Sequence, residues 1–230
     1  MASNPHATIL GENQVLIRKM LVEKITFDQI RPLLLQQHAW LHALGMSDFG
    51  EWSYQDEILG DIKEPWMRII PEGEDHSIAW LLWHLTRCED ITMNMLVMKS
   101  DQLLHSEGWL DRLEIGWRDT GNAMTPQEII DFSQAINLKA LLNYRLSVGK
   151  RTQEIIKHLG QEDLYRKVNP EDIQRLFDEG AVVEEARGIA EYWSRRDVAG
   201  LLLMPATRHN LGHLNEVRRI INKIKKVNKK

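Results

Sequence analysis

The sequence predicts an all-α protein, a four-helix bundle with additional short helices and long connections, forming one domain over residues 1–230. Three observations predict it. Apolar residues recur at helical spacing over four long stretches, and prolines and scattered glycines punctuate them. No stretch alternates apolar and polar residues as a half-buried strand would. No repeat or linker divides the chain, and a hydrophobic share of 43% is enough to fill one sizeable core.

The first long helix is expected over residues 26–44. Residues 45–75 hold Gly45, Gly50, Gly60, Pro65, Pro71 and Gly73, the composition of a loop, with room for a short helix near 54–59. Ser77 fits the cap of a second helix that carries Ile78, Leu81, Leu85 and Met95 to about residue 100. Residues 109–122 read as irregular, with Trp109 and Trp117 lying over the bundle. Thr125-Pro126-Gln127-Glu128 combines a cap residue, proline at the first helical position and glutamate three after the cap. It starts a third helix over 126–159, which Gly160 ends. Residues 161–194 form a connection with short helical pieces, one of them started by Asn169-Pro170-Glu171-Asp172. The last helix begins near Ser194 or Asp197 and runs to about residue 227. Pro205 lies inside it, and the missing N–H predicts a bend one turn before His209.

Charge excludes one class of function. The 29 basic and 33 acidic side chains give a formal charge of -4, whereas a nucleic-acid binder shows a net basic surface. The basic C-terminal stretch complements the dipole of the helix it ends. The first ten residues lack the features of a signal peptide, and no apolar run approaches the ~20 residues of a membrane span. Cys88 is the single cysteine, so no intramolecular disulfide forms. A soluble, cytoplasmic protein is expected, with neither nucleic acid nor membrane as a partner.

The chemistry lies in the histidines. His209 and His213 are four apart on the last helix and share one face with Leu202, Glu216, Val217, Ile220 and Ile224. His84 sits on a second stripe with Leu81, Cys88, Ile91 and Met95. Both stripes are mainly apolar, so all three imidazoles are expected to face the bundle interior. There they need partners, and one shared metal ion supplies them. An HxxxH pair alone is a weak signal, since His38 and His42 repeat it on the first helix. Those two read more simply as a half-buried surface pair than as pocket-lining residues, and Cys88 as a small buried hydrophobe with a lesser prospect as a fourth, softer ligand.

Ser77-Ile78-Ala79-Trp80-Leu81-Leu82-Trp83-His84-Leu85 resembles the second-helix signature of the DinB superfamily. Ala206-Thr207-Arg208-His209-Asn210-Leu211-Gly212-His213 resembles its last-helix HxxxH element, and Met124-Thr125-Pro126-Gln127-Glu128 the start of its third helix. The resemblance implies a divalent metal, zinc or nickel, held by His84, His209 and His213 with a position open to other ligands. Glu216 matches a family position for glutamine or glutamate and is the expected catalytic or orienting carboxylate. Asn215 stands where the family often has glycine. A metal-dependent transferase using a low-molecular-weight thiol on a small-molecule substrate is the expected activity, and a homodimer the expected assembly. A metal-dependent hydrolase and a non-catalytic metal-bound scaffold or small-molecule binder are the alternatives.

Overall fold

A computed structural model describes residues 5–48 and 52–227, and among them no strand forms, only an isolated bridge between Lys167 and Asp197. The chain is all-helical. Four long helical segments close a ring. Phe27–Leu41 (α2) lies against Leu138–His158 (α5), which lies against Ile78–Asp90 (α3). The last helix, Val198–Leu203 (α6) continued by Asn210–Val227 (α7), then packs on α3 and α2. A further helix, Pro5–Val22 (α1), covers α2 from outside, and Pro126–Ala135 (α4) leans on α3. No described helix is long and apolar enough to cross a membrane.

Local signals explain where the helices start. Ser77 Oγ accepts from Trp80 N at 3.0 Å, and Asp197 Oδ1 accepts from Gly200 N at the same distance. Thr125 and Glu128 form the expected reciprocal capping box. The expected third helix is in fact two. It breaks after Ala135, and the Asn137 side chain caps a new start by accepting from Ala140 N at 3.0 Å. The short helix at Tyr54–Leu59 and the helical pieces within 161–194 fall where expected. Residues 109–122 are not wholly irregular: Trp109–Leu113 is a helical turn whose buried Trp109 ring sits 5.8 Å from Tyr144.

Beyond Asp90 the second helix widens into a π-helical segment, Ile91–Met98, buried over nearly all its length. Thr92 Oγ1 donates to the Cys88 carbonyl at 2.6 Å, a back-bond that competes with the regular ladder. The chain reverses at Lys99, in the left-handed region at φ 58°. Asp90 then catches the backbone N–H groups of Leu103 and Leu104.

Candidate metal centre

His84 projects from the middle of α3 with 3% of its surface exposed. Its ring ends a stack in which Trp80 lies 4.9 Å away and His76 a further 3.9 Å beyond, all near parallel. The loop that follows supplies its first partner, since Nδ1 of His84 lies 2.7 Å from the Thr120 carbonyl. Gly121 makes that approach feasible. Its φ is +79°, and a Cβ there would sit 3.0 Å from Trp80 Nε1.

His209 comes from a second π-helical segment, Met204–His209, which joins α6 to α7 without ending the helix. Pro205, where a bend is expected, lies in this widened turn, and side chains bond to two carbonyls there. Thr207 Oγ1 donates to Leu203 O at 2.8 Å, and Asn210 Nδ2 to Pro205 O at 3.0 Å. Such turns recur at functional sites. The rings of His209 and His213 lie 4.5 Å apart, and each is 5.0 Å from His84. His213 Nδ1 meets Glu216 Oε2 at 3.0 Å, and the other oxygen of Glu216 is 3.5 Å from His76 Nδ1. The four residues singled out in the sequence therefore converge, though His209 and His213 are only partly buried.

The protons test whether this donor set fits a cation. A carbonyl only accepts, so Nδ1 of His84 carries the ring proton and its Nε2 presents a lone pair. That lone pair faces Nε2 of His209 at 3.2 Å. In either tautomer Nδ1 of His209 is a buried atom without a partner, and in one of them two lone pairs also oppose each other. A divalent ion accepting both Nε2 lone pairs removes that repulsion. Two imidazoles on a tetrahedral zinc ion have their nitrogens about 3.3 Å apart, given bonds of about 2.0–2.1 Å. The spacing in this protein is already close to that. Partners for the remote ring nitrogens, a carbonyl for His84 and a carboxylate for His213, are those that orient metal-binding imidazoles. The set fits.

Burial also keeps the His84 and His209 rings in the neutral form that a ligand needs. Desolvation, reinforced by His213, lowers the His84 pKa to about 3, and desolvation holds His209 well below the usual range. Hydrogen bonds from His213 and His76 hold the Glu216 carboxyl well below the ordinary carboxylate range. Burial pushes the Cys88 thiol up.

His38 and His42 correct the sequence reading, for they are not a half-buried surface pair. Both are fully buried, and their Nε2 atoms meet the two oxygens of Glu89 at 2.8 and 3.1 Å. Asn210 Nδ2 adds a third contact to Glu89 at 2.9 Å. The ligand atoms of these two histidines and Glu89 lie within 4.8 Å of one another. The tautomers nevertheless oppose a metal. Gln153 Nε2 donates to both Leu35 O and His38 Nδ1, so the His38 proton sits on Nε2, the atom facing Glu89. The cluster is a buried clasp tying α2 and α3 to the turn that presents His209. Its packing is tight, since a Cβ at Gly149 would lie 2.7 Å from His42 Nδ1 and 2.8 Å from Met46 Cγ. Gly149→Ala gains up to about 1 kcal/mol in helix propensity but faces an overpacking cost of about 1–3 kcal/mol. A net loss of stability is expected in chemical denaturation, and a gain would show that the clasp yields.

A pocket of about 210 Å³ opens on His84, Cys88 and His209. Ile189, Tyr192, Trp193 and Met204 wall it, and among the described residues no Lys, Arg, Asp or Glu lines it. A larger depression of about 980 Å³ runs past Met46, Glu107 and Lys150, but it contains no histidine. Cys88 is buried, as expected of a small hydrophobe, and also lines the smaller pocket. The Thr120 contact has no sequence signal, because it is made by a backbone carbonyl.

An all-helical fold with imidazoles converging from two helices, one buried and two partly buried, defines a bundle protein with a candidate metal centre. A sequence profile of the DinB superfamily matches residues 50–217. The chain belongs to that superfamily. Among solved structures, the conserved protein of locus from Enterococcus faecalis is 16% identical and aligns over 88% of this chain and 96% of its own, with a TM-score of 0.50. That likeness speaks for the fold alone. No curated protein is similar enough to stand as a relative.

Proposed function

We propose that the protein is a metal-dependent enzyme of transferase type that binds a divalent ion through His84, His209 and His213 and takes a small thiol as co-substrate. One observation carries the reading: Nε2 of His84 and Nε2 of His209 face each other at 3.2 Å beside a small, mainly apolar pocket. A divalent ion bound there is a Lewis acid that lowers the pKa of a coordinated water or thiol. Imidazole donors suit zinc and nickel, among other ions. The chain's own part is to orient His84 through Thr120 and His213 through Glu216, and to exclude bulk water with Tyr192, Trp193 and Met204.

Hydrolysis is the weaker reading. It calls for a carboxylate base near the reacting atoms, yet among the described residues none lines the pocket. Glu216, the candidate, is committed to His213 and His76 and held low by them, which suits an orienting role better than proton uptake. A purely structural ion would not need the access that the pocket provides. Without its carboxylate partner His213 loses orientation, so Glu216→Ala is expected to weaken zinc affinity about 10–100-fold. Competition with a chromogenic chelator measures this, and unchanged affinity would remove Glu216 from the site.

Titration calorimetry of L-cysteine and 2-mercaptoethanol into zinc-loaded and metal-free protein tests the function. Binding to the loaded form alone, followed by transfer to an aryl halide, is expected. Equal or absent heats in both forms would return the protein to the class of non-catalytic binders.

A further inference from the structure

The ligand atoms that lie within 4.8 Å of one another at the centre are those of His84, His209 and Cys88. Cys88 is one helical turn from His84, and its sulfur is 3.9 Å from each nitrogen of that ring. A tetrahedral zinc ion separates a nitrogen ligand from a sulfur ligand by about 3.5 Å, given bonds of about 2.0–2.1 and 2.3 Å. Equal distances to both nitrogens place the sulfur off the Nε2 lone-pair direction, so coordination takes a change of the Cys88 rotamer. Position matters as much as distance. Cys88, His84 and His209 line the pocket, whereas His213 is turned towards Glu216. Cys88 therefore lies on the pocket side of the centre. A second observation points to a cation there, since Nε2 of His209 faces Nε2 of His84 at 3.2 Å beside the same pocket.

We infer that Cys88 is a direct ligand of the ion, so that the resting centre is a three-histidine, one-thiolate site whose sulfur faces the pocket. The inference rests on the metal reading above. Coordination requires the thiol to lose its proton, which leaves through the pocket to solvent. A thiolate ligand steers the site towards zinc and other ions that accept soft donors. It also makes entry of a substrate thiol an exchange of one thiolate for another, with the incoming proton passing to Cys88.

X-ray absorption at the zinc edge tests the inference on the full chain, loaded with one equivalent of zinc and reduced by a phosphine, so that no foreign thiol is present. One sulfur scatterer at about 2.3 Å beside the nitrogen shell is expected, lost in Cys88→Ser while zinc remains bound. The serine variant also separates this sulfur from the thioether of Met204, which shares the pocket. Zinc bound through nitrogen and oxygen alone, or a sulfur shell that survives in Cys88→Ser, would overturn the Cys88 assignment and leave the histidine site standing. No stoichiometric zinc in the wild type would overturn both. If Cys88→Ser does not fold, the wild-type spectrum with Met204→Leu in its place decides between the two sulfurs.

Discussion

Asp90→Ala is expected to destabilise the protein by about 3–5 kcal/mol, the cost of breaking a buried ion pair and leaving its partner charged. Asp90 is fully buried and collects five donors. Oδ2 accepts from Arg87 Nη1 at 3.0 Å, Tyr144 Oη at 2.5 Å and Leu104 N at 3.0 Å. Oδ1 accepts from Asn94 Nδ2 at 2.7 Å and Leu103 N at 2.9 Å. One carboxylate thus ties α3 and α5 to the chain reversal after the π-helical segment. Arg87, also fully buried, keeps hydrogen bonds to Gln102, Tyr144 and the Arg118 carbonyl and its place over the Trp83 ring once Asp90 is gone. None of these carries a compensating charge. Urea denaturation measures the loss, and a change below about 1 kcal/mol would show that the network relaxes around the gap.

His84→Ala and His209→Ala are each expected to bring bound zinc from near one equivalent to background, a larger loss than removing the Glu216 partner causes. Each substitution deletes an Nε2 that faces the other across 3.2 Å. His38→Ala provides the contrast. It breaks the clasp on Glu89 and lowers stability, but the protein should still bind zinc, because Nε2 of His38 is a committed donor. Elemental analysis after dialysis, with circular dichroism to confirm the fold, measures all three variants. Zinc lost from His38→Ala and kept by His84→Ala would exchange the roles of the two clusters.

What the sequence reveals here follows from how local each signal is. The capping box at Thr125 and the caps at Ser77 and Asp197 are contacts between residues three apart, so they are legible and correct. The break at Asn137 is less so, because Ile136 and Leu138 continue the apolar rhythm on both sides of a residue that also fits inside a helix. Helix α1 went unread because its apolar residues divide between two faces. Leu10 and Ile17 are buried, while Val15 and Val22 are 70% and 73% exposed. That omission has a consequence for the site. Without α1, the α2 face around Gln37 reads as solvated, yet Gln37 is buried and bonds to Leu10 O at 3.1 Å. His38 and His42 were misplaced with it. Their acceptor, Glu89, lies 51 residues from His38, and no spacing rule reaches that far. The HxxxH pair and His84 were legible because helical periodicity fixes which face they share. Cys88 lies on the His84 stripe as read, but only the fold brings His209 to the same pocket.

The central claim is that His84, His209 and His213 hold one divalent ion. An anomalous-difference map recorded at the zinc edge from crystals of zinc-loaded protein tests it most directly. One peak per chain is predicted, about 2.0–2.1 Å from the nitrogens of all three rings. A peak at the His38, His42 and Glu89 cluster instead, or none in the bundle, would contradict the account.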